Sequence, residues 1–247
     1  MRAIFIADAH LKKPDDLNYR TLLNFLQSIA GSTDLLVIAG DFFEFWLGDS
    51  PEAFPHYHDA LEALKAVSRA GTRIVYIEGN HDFHLGDYFR RDFSAEVHPD
   101  ETVIEVDNKR IYLCHGDLIN RNDYSYMALR FVFRNPFTRF LAKVVPCSFP
   151  AWVAKRLGDH SKGKHKIVAE KWDASGLIRE FARKKLAEGF DLVVTAHYHR
   201  PFIEDLGEGK TVLALGDWIT QFSYGEMVDG ELSLKRYTPD LNPVRII

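Results

Sequence analysis

Five short stretches of this chain bring aspartate, histidine and asparagine together: Asp8-Ala-His10, Gly40-Asp41, Gly79-Asn80-His81-Asp82, His115-Gly-Asp117 and His197-Tyr-His199. Carboxylate, imidazole and amide donors with no thiolate suit Mn²⁺, Fe or Zn better than a soft metal. A single Asp-x-His is weak evidence, and a lone aspartate after a strand is more often a turn or a helix cap. The context raises the set above chance. Each stretch follows an apolar run, at residues 3–7, 35–39, 73–77, 111–114 and 192–196. Strands that repeatedly end in metal-binding side chains point to one metal centre and to metal-ion chemistry.

The elements that must position these residues alternate. The apolar run 2–7 reads as a buried strand. Leu22, Leu23, Leu26 and Ile29 have helical spacing within a helix predicted near Tyr19–Ala30, closed by Gly31. A second helix is predicted near Glu52–Ala70, closed by Gly71. Strands at 35–39 and 73–77 interleave with these helices, which implies βαβ units and a largely parallel sheet. β-rich segments follow at about 95–98, 102–106 and 109–114, with Asp107-Asn108 as a hairpin turn. Asn135-Pro136 reads as the start of a helix whose apolar face holds Phe133, Phe137, Phe140, Leu141 and Val144. Phe149, Trp152, Val153 and Leu157 suggest another amphipathic turn, and 158–163 a loop. A helix is expected over roughly 165–188 and a strand over 191–196. Short strands are expected at 201–205, 210–215, 222–228 and 231–237. No internal repeat or low-complexity stretch is visible.

The 247 residues are enough for one α/β domain with a large core and an inserted segment. With 46% hydrophobic and 27% charged residues, the chain has the composition of a soluble globular protein. Cys114 and Cys147 make no disulfide framework and fit a reducing compartment. The N-terminus enters a strand at once, which predicts no leader peptide. No apolar run reaches the ~18 residues of a spanning helix. The net charge of −4 is unevenly spread. Residues 118–166 carry ten basic side chains against two acidic ones, a balance of +8, which leaves −12 for the rest. Such asymmetry suggests an anionic ligand or surface facing that segment.

As a set, the five motifs resemble the calcineurin-like metallophosphoesterase superfamily. The resemblance covers about 1–117 and 190–217. It implies an α/β fold in which two mixed β-sheets pack face to face, flanked by helices, as a four-layer sandwich. Residues 1–117 and 167–247 would form the core, and 118–166 an inserted helical cap. It further implies two divalent metal ions, with Mn²⁺ expected and Fe or Zn as alternatives. Asp8, His10, Asp41 and His199 would hold one, and Asp41, Asn80, His115 and His197 the other. The shared Asp41 carboxylate would screen two cations at the ~3.5–4 Å typical of such pairs, and a metal-bound hydroxide would attack phosphorus in line. Asp117 is expected to be structural, and His56, His58, His98 and His160 to be surface or loop residues. Protein Ser/Thr phosphatases of this superfamily carry Asp-Arg-Gly shortly after the second motif. This chain reads Asp41-Phe-Phe-Glu-Phe-Trp-Leu-Gly-Asp49 there, so a phosphoprotein substrate is not expected.

That last stretch, with Phe5-Ile-Ala-Asp-Ala-His-Leu11, Asn80-His-Asp-Phe83, His115-Gly-Asp117, Asp123 and Tyr126, resembles the narrower UDP-2,3-diacylglucosamine diphosphatase group of lipid A biosynthesis. The implied reaction releases UMP and 2,3-diacylglucosamine 1-phosphate. In that group the cap holds a diacylated sugar. Asp123, Tyr126, Arg130, Ser161, Lys162, Lys164 and Lys166 are the implied substrate contacts. The cap's Phe131, Phe133, Phe137, Phe140, Phe149 and Trp152 could meet acyl chains, and its basic residues an anionic membrane. These features imply a cytoplasmic protein, peripheral on the inner face of the membrane.

One departure stands out. The group has Arg where this chain has His81. Arg grips a diphosphate, whereas His can protonate a leaving oxygen. His81, with Asp41 and Asn80, is expected at the reacting phosphoryl group, its ring oriented by Asp82 or another carboxylate. A related phosphomonoesterase or phosphodiesterase therefore stays open as an alternative. So do a nuclease and a metal-less scaffold. The acidic remainder lacks an extended basic track, so nucleic acid is not an expected partner, and all seven ligand positions are filled, which a scaffold would be expected to have lost.

Overall fold

The computed structural model describes residues 1–120, 124–135, 137–138 and 173–238. Period-two alternation along the strands sets its layers. Strand β1 (Arg2–Ile6) lies parallel to β2 (Leu35–Ile38), which lies parallel to β4 (Arg73–Ile77). On these strands Ile4, Ile6, Leu36, Ile38, Ile74 and Tyr76 face one core. Ala3, Phe5, Ala7, Leu35, Val37, Val75 and Ile77 face another. All are buried, and each fully buried large apolar side chain contributes about 1.5–3 kcal/mol. Strands this apolar on both faces must be covered on both.

The first cover is helical. Helices α1 (Leu17–Ile29), α2 (His58–Arg69) and α3 (Gly86–Phe93) bury Leu22, Leu26, Leu61, Leu64, Phe89 and Phe93 into the first core. The other cover is a second sheet, built from β7 (Thr102–Val106), β8 (Lys109–Leu113), β9 (Leu192–Thr195), β10 (Phe202–Asp205) and β11 (Thr211–Ala214). Its Ile104, Ile111, Leu113, Val194 and Leu213 meet the first sheet. Its Tyr112, Val193 and Val212 turn outward onto α5 (Ala174–Ala187). The layers therefore run helices, sheet, sheet, helix.

With β6 (Glu96–His98), β12 (Ser223–Val228) and β13 (Glu231–Arg236), the first sheet has six strands in the order β13-β12-β1-β2-β4-β6. The second has five, in the order β10-β11-β9-β8-β7. Both are mixed: in the first, β12 runs antiparallel to its neighbours β1 and β13, and in the second, β7 and β10 run antiparallel to β8 and β11. A short parallel pair, β3 (Trp46–Leu47) with β5 (Asp82–Phe83), joins the loops that follow β2 and β4. The expected two-sheet sandwich is present. So is the β7–β8 hairpin, whose Asp107 and Asn108 have φ of 49° and 62°, the left-handed pair such a two-residue turn requires.

Two local expectations need correction. The helix expected from Glu52 begins only at His58, after two 3-10 turns at Pro51–Ala53 and Pro55–Tyr57. Pro55 lacks an N–H and disfavours helical backbone at Phe54, which sits at φ −133°. Helix α3 was not anticipated at all. Its signal was present in Leu85, Phe89 and Phe93, all buried and spaced by four.

Helix α4 (Tyr124–Arg134) makes up most of the described part of the inserted segment. Asn135 Oδ1 accepts the Phe137 N–H at 2.7 Å, as a helix-starting asparagine should. Asp123, Ser161, Lys162, Lys164, Lys166 and the side chain of Tyr126 lie outside the described residues. So do the rest of the helix expected after Asn135, the turn near 149–157, the loop 158–163 and the residues expected to begin α5.

Candidate metal centre

The five motifs converge because parallel strands end at the same edge. β1, β2 and β4 end in Asp8 and His10, in Asp41 and in Asn80. β8 and β9, parallel to each other in the facing sheet, end in His115 and in His197 and His199. The chain turns sharply there. Asp8, His10, Asp41, His197 and His199 all have positive φ, between 45° and 72°. Each such non-glycine residue costs about 1–3 kcal/mol, a strain typical of functional sites. Backbone pairing holds it in place: the amides of Asp8 and His10 donate to the carbonyls of Gly40 and Asp41 at 3.1 and 3.0 Å. Asp8 Oδ2 accepts the His197 N–H at 2.9 Å, which ties the two sheets' loops together.

Three imidazoles share one arrangement. The Nδ1 of His115 donates to the Ala39 carbonyl at 2.7 Å. The Nδ1 of His199 faces Asp217 Oδ2 at 3.5 Å, and that of His10 faces Glu44 Oε2 at 3.5 Å. With the outer nitrogen anchored, each Nε2 turns inward. That of His115 lies 3.4 Å from Asp41 Oδ2 and 3.0 Å from Asn80 Oδ1. That of His10 lies 3.6 Å from Asp41 Oδ2 and 3.9 Å from Asp8 Oδ1, and that of His199 3.5 Å from Asp8 Oδ1. Anchoring the outer nitrogen fixes the tautomer and aim of a metal-binding histidine. Two groups result whose ligand atoms lie within 4.8 Å of one another: Asp8, His10 and His199, and Asp41, His115 and His197. Asp41 lies between them, with one oxygen facing a histidine of each.

The electrostatics fit a cation. Asp8 and Asp41 are fully buried. Burial alone would raise their pKa values, but the surrounding imidazoles outweigh it, and both are lowered, Asp41 strongly. Burial disfavours charge on His199, yet Asp8 and Asp217 lift its pKa to about 10. Burial acts the same way on His115, and Asp41 again reverses it, to a value well above 6.5. Burial and the neighbouring His115 bring His197 down to about 4. Asp8 Oδ1 and His10 Nε2 are buried without a hydrogen-bond partner. Buried polar atoms without partners in a converging Asp/His cluster are what a divalent cation would satisfy.

Around this cluster lie residues the sequence reading did not single out. Glu44, salt-bridged to Lys12 at 3.1 Å, accepts the Nδ1–H of His81 on its backbone carbonyl at 2.7 Å. Glu44, His10 and His81 form a third group of close ligand atoms, and the rings of His10 and His81 meet edge to face at 4.7 Å. The expected link from Asp82 to His81 takes another form. Asp82 is buried and accepts from the amides of Gly79 and Phe42 and from the Tyr76 hydroxyl, at 2.6, 2.9 and 2.6 Å. It braces the loop, and it is the Glu44 carbonyl that orients the His81 ring. Asp217 turns its Oδ1 to the amides of Ile219, Thr220 and Gln221. Its signal was available: Gly216-Asp217 follows an apolar strand just as Gly40-Asp41 does.

The Arg130 guanidinium, expected to face substrate, is buried, bonded to Asp117 at 2.9 Å and paired with Asp100. Here it fastens α4 to the core, and Asp117 serves as its partner. His56 lies in the 3-10 turn before α2, His58 begins α2 and His98 ends β6, away from the cluster. His160 lies outside the described residues.

Comparison with known proteins agrees with this geometry. Residues 1–201 match the family described as calcineurin-like phosphoesterase. The UDP-2,3-diacylglucosamine hydrolase of Aeromonas salmonicida is 31% identical over 98% of this chain and 96% of its own length. The protein of that name from Pseudomonas aeruginosa strain UCBPP-PA14 is 32% identical over 90% of this chain and 92% of its own. That from Proteus mirabilis is 29% identical over 96% and 99%. With a converged Asp/His/Asn cluster at the strand ends and the family match spanning it, the chain belongs to the calcineurin-like phosphoesterases, a family of metal-dependent hydrolases.

Proposed function

We propose that this chain hydrolyses the diphosphate of UDP-2,3-diacylglucosamine, yielding UMP and 2,3-diacylglucosamine 1-phosphate. The observation that carries the reading is likeness to the hydrolases of that name over 98% of the chain, far beyond the motifs alone. Asp8, His10, Asp41 and His199 would hold one divalent cation and Asp41, Asn80, His115 and His197 the other, with Mn²⁺ as the resident ion. Two such cations lower the pKa of water and neutralise charge developing on phosphorus. The chain's own part is to fix both through anchored imidazoles, and to present His81, half-buried beside Asn80, to the leaving group.

The substrate would extend from this centre in two directions. An open cleft of about 420 Å³ begins at His199 and carries Arg200, Lys235 and Arg236 on its walls, cations suited to a phosphate-rich substrate. In the inserted segment, whose helix α4 packs on the Asn80 loop, Asp123, Tyr126, Ser161, Lys162, Lys164 and Lys166 are proposed substrate contacts, with Arg130 kept for the core. On the described part of that segment Phe131, Val132 and Phe137 are 74%, 56% and 66% exposed, an apolar surface suited to acyl chains or to the inner face of a membrane. No helix among the described residues is long and apolar enough to cross a bilayer.

A second reading rests on His81. In place of the arginine expected of a diphosphatase, an imidazole suits an ester that expels an alkoxide, so a related phosphomonoesterase or phosphodiesterase is the alternative. One experiment separates the two. The Mn²⁺-loaded protein is incubated with UDP-2,3-diacylglucosamine and, separately, with an alkyl phosphodiester. UMP release at a rate well above that of the diester supports the first reading. No UMP, with turnover of the diester, replaces it with the second.

A further inference from the structure

The loop from Glu78 to Leu85 carries Asn80 and His81, and helix α4 grips it at both ends. At the near end the Arg134 guanidinium lies 3.3 Å from the Glu78 carboxylate and donates to the carbonyls of Glu78 and Gly79, also at 3.3 Å. At the far end His84 Nε2 meets the Phe133 carbonyl at 2.8 Å, and the Phe133 ring stacks on Phe83 at 5.1 Å. Glu78 is buried and spends its other oxygen on the Leu85 amide at 2.8 Å, so Arg134 faces a carboxylate that itself closes the loop.

We propose that Arg134 is a positioning residue that sets Asn80 in the metal centre, so that docking of α4 governs the second metal. The two peptides leading into Asn80 are both held. Arg134 takes the carbonyl and Asp82 the N–H of the Glu78–Gly79 peptide, and Arg134 also takes the carbonyl of the Gly79–Asn80 peptide. These three contacts restrict the backbone on either side of the Gly79 Cα, and the next side chain brings Oδ1 to 3.0 Å from His115 Nε2. A neutral amide is the weakest ligand of the set, so its contribution depends most on being held in place. An arginine fork suits this task because its spread, planar donors reach a carboxylate and two carbonyls at once, whereas a lysine offers a single nitrogen on a flexible stem. The contact comes from the inserted segment and reaches into the core. By thermodynamic reciprocity, whatever loosens α4 weakens the second metal, and metal binding tightens α4.

The inference rests on Asn80 being a ligand. The test therefore measures Mn²⁺ binding by calorimetry to the chelator-stripped protein and to its Asn80→Ala, Arg134→Ala and Arg134→Lys variants, with melting temperatures in parallel. Arg134→Ala is expected to weaken one of the two sites by about 10- to 100-fold, the usual effect of removing a group that supports a ligand, and to leave the other unchanged. Arg134→Lys should weaken the same site to an intermediate degree, and should serve alone where the alanine variant fails to fold. Asn80→Ala should lose that same site. Two wild-type affinities in a folded Arg134 variant overturn the proposal, and so does equal weakening of both sites, which would mark a general loss of structure. Should Asn80→Ala itself keep both sites, the ligand assignment falls instead.

Discussion

Gly79 packs so closely on Asp41 that a β-carbon at position 79 would overlap the Asp41 carboxylate and lie 2.6 Å from its amide nitrogen. The φ of Gly79 is not positive, so alanine is tolerated by the backbone there and only the collision matters. Gly79→Ala should therefore keep the fold but push Asp41 and the Asn80 loop apart. A misplacement of about 1 Å in such a site can cost roughly 10²-fold in rate. The expected result is a loss of turnover of that order with reduced metal content and an unchanged circular dichroism spectrum. Two bound metals and wild-type turnover would show that the contact is relaxed without consequence.

Asp41 and Asp8 differ in reach, and this predicts a difference in metal content. Asp41 Oδ2 faces His10 on one side and His115 on the other, whereas Asp8 Oδ1 faces His10 and His199. Asp41→Ala should empty both positions and Asp8→Ala only one. Elemental analysis of the two purified variants decides it. An Asp41→Ala protein with two tightly bound metals would remove the bridging role.

Much of this centre was legible because metal ligands are few in kind and each set followed an apolar strand. The layers were legible because strand alternation is local. Glu44 and Asp217 were not recognised, since each acts through a partner distant in sequence: Glu44 through His10 and His81, Asp217 through His199. Arg134 acts across 55 residues onto Gly79, which no local pattern can reveal. Of the carboxylates expected to orient His81, Asp82 turns elsewhere for the same reason. Adjacency in sequence suggested His81, but the sharp loop turns the carboxylate onto Gly79, Phe42 and Tyr76.

The charge states of the histidines predict proton release on metal binding. Asp8 and Asp217 lift the pKa of His199 to about 10, and Asp41 raises that of His115 in the same direction. A cation must displace the proton that His199 holds at pH 7.5, whereas His197, at about 4, has none to give. Metal affinity should therefore rise as pH rises from 6 to 8, by about tenfold per unit for each displaced proton. Calorimetry in buffers of different ionisation enthalpy should report net proton release at pH 7.5. Asp217→Asn keeps the acceptor for the amides of Ile219, Thr220 and Gln221 but removes the charge facing His199, and should release less than the wild type. Absence of proton release at pH 7.5 would mean that the imidazoles are neutral before the metal arrives.

His81 is the residue that separates the two readings of the substrate, and its geometry sets the form of the test. A carbonyl can only accept, so the contact with Glu44 O places a proton on Nδ1. To donate to a leaving oxygen the ring must carry a second proton, on Nε2. His81→Ala should keep both metals, since the seven other donors complete the set. It should slow alkyl phosphate esters far more than nitrophenyl esters, whose leaving groups need no proton. General acid catalysis is worth about 10²–10⁴-fold, so the contrast is measurable. His81→Arg should spare a diphosphate substrate better than an alkyl ester if the lipid precursor is the true substrate. Equal losses for good and poor leaving groups would leave His81 as an electrostatic or orienting residue, and loss of a metal would make it a ligand.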